Sequence, residues 1–146
     1  MTREKTNEYT IIVGCGRLGA SIAGKLSDSK KDVMVLDYDK TSFRKLPNSY
    51  GGMTIVGNGT DIEKLIQANI KNAVTFIAVT NNDCVNICAA QIAKRAFNVK
   101  KVVARIYDEE KLLLLKSMGI ETICPSELSE KEISNYISIG GVSNVG

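Results

Sequence analysis

The 146-residue sequence contains no histidine and no tryptophan. Without histidine it lacks the commonest general base, the commonest metal ligand and the central member of a hydrolytic triad. Chemistry would fall to carboxylates, lysine, tyrosine, cysteine or a bound cofactor. Aromatic residues make up 5% and the formal net charge is only +3. The chain thus has neither the stacking platforms nor the basic stripe of a dedicated nucleic-acid surface, and no nucleic-acid partner is expected. No apolar run approaches the ~18 residues of a membrane-spanning helix, so direct membrane insertion is not expected either. The four cysteines, Cys15, Cys84, Cys88 and Cys124, form no C-x-x-C pair. That removes the usual zinc and thioredoxin-like patterns, and no metal is predicted. Cys84 and Cys88, one helical turn apart in an apolar stretch, read as small core residues rather than redox centres. The start, Met1 to Thr10, is polar and has no apolar core of a secretory signal, which predicts a reduced, cytosolic setting.

What is present is the balance of a globular domain, 44% hydrophobic and 24% charged. A chain of this length buries roughly two-thirds of its unfolded surface, so it needs no covalent staples and is too apolar for disorder. Six short β-branched runs recur: Tyr9–Val13, Asp32–Asp37, Met53–Val56, Val74–Val79, Lys101–Ile106 and Glu121–Cys124. They are nearly continuous rather than alternating, the pattern of parallel strands covered on both faces. Helical spacing fills the gaps. Leu18, Ile22 and Leu26 recur every four residues, and Ile62, Leu65, Ile66 and Asn69 follow a similar course. Asp83 to Phe97 reads as one long helix with Val85, Ala89, Ile92, Ala93 and Ala96 on a stripe. Glu109 to Met118 reads as another, closed by Gly119. This alternation predicts an α/β fold, a Rossmann-like doubly wound parallel sheet of about six strands with helices on both faces. The expected division is a polar arm at 1–8, one domain at 9–137 and a flexible Gly- and Ser-rich tail at 138–146.

The sharpest local feature is Gly14-Cys15-Gly16-Arg17-Leu18-Gly19, a G-x-G-x-x-G turn between a predicted strand and a predicted helix. Gly14 serves the tight turn, Gly16 the approach of a pyrophosphate and Gly19 close helix–strand packing. The helix N-terminus adds free N–H groups and a partial positive charge. Asp37 ends the second run 18 residues after Gly19, near the spacing of the acid that accepts ribose hydroxyls. A carboxylate there repels a 2′-phosphate, favouring NAD, ATP or ADP over NADP. The alternative is that Asp37 caps the following turn, Tyr38-Asp39-Lys40, with Asp39 as the other ribose candidate. Arg17, inside the turn, reads either as a bidentate phosphate ligand or as a solvated arginine.

Five segments keep the order of motifs in a known family. They are Ile-Ile-Val-Gly-Cys-Gly-Arg-Leu-Gly (11–19), Val-Leu-Asp-Tyr-Asp (35–39), Gly-Asn-Gly-Thr-Asp (57–61), Ala-Val-Thr-Asn-Asn-Asp-Cys-Val-Asn (78–86) and Val-Ala-Arg-Ile (103–106). Together, over roughly Tyr9 to Tyr136, the chain resembles the N-terminal nucleotide-binding lobe of the RCK (KTN, TrkA-type) domain. That family regulates Trk and Ktr potassium uptake and some potassium channels from the cytosol.

The resemblance implies an adenine nucleotide, NAD(H) or ATP/ADP, held by Gly14, Gly16, Arg17, Leu18 and Gly19 at the phosphates and by Asp37 and Tyr38 at the ribose. It places Asn58 beside the adenine, where Asp is commoner, keeping an acceptor without its charge. Gly59 stands for a common Ala. Thr80 and Asn81 would line the pocket, and Arg105 would add charge near the phosphates. Arg17 would reach a nucleotide on a neighbouring subunit, in a homodimer or a higher ring-like oligomer. A membrane potassium transporter or channel subunit is the implied partner, with the chain peripheral to the inner face of the membrane. Family members often carry an acid directly after the proline that follows strand six, in an intersubunit cation site. Here Ser126 follows Pro125, with Glu127 one place on, so no metal is expected. The family's C-terminal lobe has no counterpart in these residues.

Plainer roles stand beside these. Asn82 or Asp83 serves to cap the long helix, Asn86 to fix the loop, Thr60 or Asp61 to cap the helix before it, and Arg105 to pair with Asp108 or Glu109. Two other functions compete: a generic NAD-binding module, and an NAD-dependent oxidoreductase. Tyr107 and Lys111 have the Y-x-x-x-K spacing of short-chain dehydrogenases, but the tyrosine comes too early and no substrate region follows. A transcriptional sensor would need a DNA-reading element, and none is left over. No catalytic residue is assigned, and the chain is expected to bind and report rather than to catalyse.

Overall fold

A computed structural model describes residues 8–137. The tail expected at 138–146, and all of the expected arm except Glu8, lie outside the described residues. Six strands form one sheet: β1 (Tyr9–Val13), β2 (Asp32–Asp37), β3 (Met53–Val56), β4 (Thr75–Ala78), β5 (Lys101–Arg105) and β6 (Glu121–Ile123). All pairings are parallel, in the order β3-β2-β1-β4-β5-β6. The first three strands have the bounds the sequence predicts. The last three stop one residue short at their C-terminal ends. Val79, Ile106 and Cys124 remain buried just past the strand ends, and Val79 N–H still donates to Val13 O and Ile106 N–H to Ile123 O, each at 2.9 Å.

Strand alternation sorts the core into two layers. Ile11, Val13, Met34, Leu36, Phe76 and Ala78 face the side carrying α2 (Ile62–Gln67), α3 (Asp83–Gln91) and α4 (Leu112–Ser117). Ile12, Val33, Val35 and Val79 face α1 (Arg17–Asp28) and the 3-10 turn Lys40–Lys45. Each fully buried Leu or Ile in these layers contributes about 1.5–3 kcal/mol.

Three elements and one pair of side chains depart from the sequence reading. The long helix expected over Asp83 to Phe97 ends at Gln91 and continues as a π turn, Ile92–Ala96. There the Phe97 N–H bonds Ile92 O, five residues back, at 3.3 Å. The added residue rotates the stripe: Ala89 and Ala93 stay buried, whereas Ala96 is exposed. The helix expected from Glu109 opens as a 3-10 turn, Glu109–Lys111, before α4, and Gly119 closes it at φ +77°, as its position predicts. A thirteen-residue helix, α5 (Pro125–Ile137), stands where no element was expected. Finally, Cys84 and Cys88 are exposed, against the expectation that they belong to the core. The face α3 turns to the sheet is Asn86, Ala89 and Ala90. Positions 84 and 88 flank Asn86 by two residues each, about 200° around the helix from it.

Candidate functional site

At the carboxyl ends of β1 and β4 the connections leave to opposite faces, because β1 leads to α1 and β4 to α3. Such a switch point opens a crevice. Here it is a cleft of about 860 Å³.

The glycine turn forms its floor. Gly14 has φ +108°, and its N–H donates to Leu36 O at 2.8 Å. A Cβ on Gly14 would lie 2.9 Å from both Val79 O and Thr80 N. Gly16 caps α1 in an extended conformation, and a Cβ there would meet nothing within 4 Å. The space above Gly16 is therefore open for a ligand. A Cβ on Gly19 would collide with the carbonyl oxygen of Gly14, so Gly19 sets the approach of helix to strand and does not itself line the cleft. No side chain caps α1 and its first turn holds no acid, so its leading N–H groups and dipole are left to an anion. Arg17 and Leu18, both exposed, stand at this end of the cleft.

Asp37 reaches back to the same turn. Its Oδ2 accepts from Cys15 N–H at 2.7 Å and its Oδ1 from Asp39 N–H at 2.8 Å. A carboxylate offers about four acceptor positions, so these two bonds orient it and leave capacity for hydroxyls. Asp39 has a different task. It caps the 3-10 turn by accepting from Thr41 N–H at 3.0 Å and Thr41 Oγ1 at 2.8 Å. Those two bonds, with Lys45 and Arg44 nearby, hold its carboxyl below the usual carboxylate range. Asp39 thus caps the 3-10 turn, while Asp37 both holds the turn after β2 through Asp39 N–H and faces the glycine turn through Cys15 N–H. Tyr38, 80% exposed, borders the cleft. Cys15 lies buried beneath the turn, and burial, with the Asp37 charge, pushes its thiol up from the ordinary 9.0.

The opposite wall is a hydrogen-bonded bracket centred on Asn86, which is fully buried. Asn86 Oδ1 accepts from Thr80 N–H at 2.9 Å and Thr80 Oγ1 at 2.6 Å, while Nδ2 donates to Thr80 O at 3.1 Å and Arg105 O at 2.7 Å. Asn86 therefore fixes the ends of β4 and β5 together, the plainer of the roles the sequence allowed. Asn82 caps α3 through Val85 N–H at 3.0 Å, and Asp61 caps α2 through Glu63 N–H at 3.0 Å. Asp83 accepts from Tyr107 N–H and Asp108 N–H, each at 2.9 Å, and so ties the loop after β5 to α3.

Two expectations change. Asn58 borders the cleft, but its Oδ1 already accepts from Thr60 N–H and Thr60 Oγ1, both at 2.9 Å. The acceptor expected to face adenine is spent within the loop, leaving the Nδ2 amide to donate. Nor does Arg105 pair with Asp108 or Glu109. Its Nη2 donates to Val79 O at 2.9 Å and Thr80 O at 3.2 Å, its guanidinium lies 5.2 Å from the Tyr107 ring centroid, and its buried Nε has no partner. Asp108 instead takes Lys111 at 3.9 Å, and Glu109 accepts from Ser126 Oγ at 2.8 Å.

Ten of the eleven expected residues, all but Gly19, thus border one cleft, with Asn81 exposed beside Thr80. Ser42, Lys45 and Tyr107 also border it, and no motif pointed to the first two. They arrive through the turn that Asp39 caps, so only the course of the chain after β2 reveals them. With Lys45, three cations border the cleft, Arg17 and Arg105 being the others. Among the described residues no group of three or more His, Cys, Asp or Glu side chains is placed to hold a metal ion. Nor does any described helix have the length and apolarity to cross a membrane.

Comparison with known proteins places this architecture. The TrkA-N domain family model matches residues 10–125. The Trk system potassium uptake protein TrkA of Streptomyces coelicolor is 41% identical over 115 residues, covering 79% of this chain and 52% of that protein. The TrkA homolog of Methanothermobacter thermautotrophicus is 33% identical over 119 residues, covering 82% of this chain and 55% of that protein. The chain spans about half the length of these curated relatives. Among solved structures, the GsuK RCK domain superposes with a TM-score of 0.75 at 23% identity, covering 91% of this chain and 28% of that one. GsuK has also been solved bound to NAD and bound to ADP, with TM-scores of 0.67 and 0.71 to this chain. These likenesses share the doubly wound fold. With its family model matched from the first strand to the start of α5, the chain belongs to the TrkA-N domain family.

Proposed function

We propose that this domain binds an adenine nucleotide, NAD(H) or ATP/ADP, at the β1–β4 cleft and thereby regulates a Trk- or Ktr-type potassium transporter or channel. The observation that carries this reading is the open space over Gly16, framed by the first turn of α1, the Asp37 carboxylate and three cations. The phosphates lie on the α1 N-terminus and Arg17, the ribose on Asp37 and Tyr38, the base near Asn58, and the Thr80–Asn81 and Arg105 wall closes the far side. The relatives' names supply the potassium uptake system, and the NAD- and ADP-bound GsuK structures support the ligand class. In this reading the domain is cytoplasmic, assembles as a homodimer or larger ring, and meets the membrane's inner face through its transporter partner.

The domain regulates rather than reacts. The tyrosine–lysine pair of a dehydrogenase is not assembled, because Lys111 turns to Asp108 and the Tyr107 ring packs against Arg105. A ligand shifts an arrangement of paired domains only if it binds one arrangement better than another. A third phosphate reaching Arg17 supplies that difference, within the 1–3 kcal/mol usual for coupling. Calorimetry and light scattering with ATP and ADP test this. ATP is expected to bind more tightly and to change the assembly, and Arg17→Ala to erase the difference. Equal affinities with an unchanged assembly would refute the phosphate switch.

A further inference from the structure

Cys84 and Cys88 play no part in the nucleotide cleft or the core. Both are exposed, although free cysteine is among the most buried residue types. Asn86, between them, is fully buried and bonded to Thr80 and to Arg105. That anchor fixes the rotation of α3, so both thiols are held on its outer side. The other two thiols, Cys15 and Cys124, are 0% and 4% exposed.

The spacing selects the chemistry. Cβ atoms at i and i+4 of a helix lie ~5–6 Å apart, whereas a disulfide needs ~3.5–4.5 Å. Direct oxidation would therefore unwind α3 against its Asn82 cap and its Asn86 anchor. A single bridging ion suits the gap better, since two metal–sulfur bonds of ~2.3 Å span roughly 4.5 Å between sulfurs. Structural zinc would need four ligands, and among the described residues no three His, Cys, Asp or Glu side chains stand together for a metal. Soft thiolates with no further donor favour Cu(I).

We propose that Cys84 and Cys88 form a two-thiolate site for one soft, two-coordinate cation of the Cu(I) class, on the outer face of α3. Binding replaces two S–H bonds by two Cu–S bonds and releases two protons, with no change of oxidation state. The test is anaerobic titration of the reduced full chain with Cu(I) supplied as its bathocuproine disulfonate complex. The expected result is one equivalent withdrawn per chain, with copper X-ray absorption showing two sulfur neighbours. Cys84→Ser and Cys88→Ser should each weaken withdrawal at least tenfold, while thermal unfolding stays unchanged because both positions are exposed. Withdrawal no greater than that of the Cys84→Ser/Cys88→Ser double variant would overturn the proposal. So would full retention by either single variant, or loss on Cys124→Ser with the exposed pair intact.

Discussion

Gly16 and Gly19 stand three residues apart in the same turn and place opposite demands on a side chain. At Gly16 an added methyl meets no protein atom, whereas at Gly19 it collides with the Gly14 carbonyl, which cannot move without displacing the turn. Gly16→Ala should cost no more than about 1 kcal/mol, the loss of a glycine N-cap, yet weaken nucleotide binding at least tenfold, because its methyl occupies the phosphate's space. Gly19→Ala should lower stability by about 1–3 kcal/mol. Thermal unfolding beside calorimetry separates the two effects. The packing role of Gly19 was legible in sequence because a G-x-G-x-x-G turn is a local constraint. The true partners of Arg105 were not, because Val79 O and Thr80 O lie on another strand's end. The same holds for the Asn58 carbonyl, which sequence alone cannot assign to Thr60 rather than to a base.

Titration belongs to this scale as well. Burial, with the Asp32 charge, pushes the Tyr9 phenol up to about 12, and burial raises the Tyr50 phenol too. Tyr9 donates its hydroxyl to Ala68 O, and Tyr50 to Met53 O at 2.7 Å. A raised acid keeps its proton longer in the folded state, so its stabilisation is complete below the unfolded value and is lost as pH rises toward the folded one. Stability should therefore fall above about pH 9–10, where unfolded Cys15 and then the tyrosines ionise first. Tyr9→Phe and Tyr50→Phe should flatten that fall in denaturant melts taken from pH 8 to 11.

Among the elements, α3 and α5 are held very differently. α3 is anchored by its Asn82 cap, the Asn86 bracket and the Asp83 bonds to the loop after β5. In α5 only Ser134 is buried, while Leu128, Ile133, Tyr136 and Ile137 are 54–82% exposed. A thirteen-residue helix with so little packing is marginal by itself. Hydrogen exchange should be fast along α5 and slow in α3. Ile133→Ser should cost under about 0.5 kcal/mol, against about 2–5 kcal/mol for Leu115→Ala in the core. Equal protection in both helices would contradict this. Pro125 at the first helical position was the available sign of α5, but the segment carries no core stripe to extend it. The π turn after Gln91 escaped for another reason: an inserted residue leaves the apolar composition intact and changes only its phase.

At the scale of the whole molecule, the doubly wound class of six parallel strands follows from their apolar runs and the helices between them and was legible in sequence, whereas the strand order is set by which strands the crossovers bring together and came only with the structure. The cleft is a consequence of that topology. Its motif residues were readable as a list, but Lys45, Ser42 and Tyr107 join it only through loops that the strand order brings round. On the function proposed above, the cleft holds an adenine nucleotide through the glycine turn and Asp37. Calorimetric titration of the chain with ADP, beside Gly16→Ala and NADPH, tests it most directly. One saturable site for ADP is expected, at least tenfold weaker in Gly16→Ala, with NADPH disfavoured by the Asp37 carboxylate. ADP binding equally well to Gly16→Ala, or no heat from ADP, ATP or NADH with the unaltered chain, would contradict it.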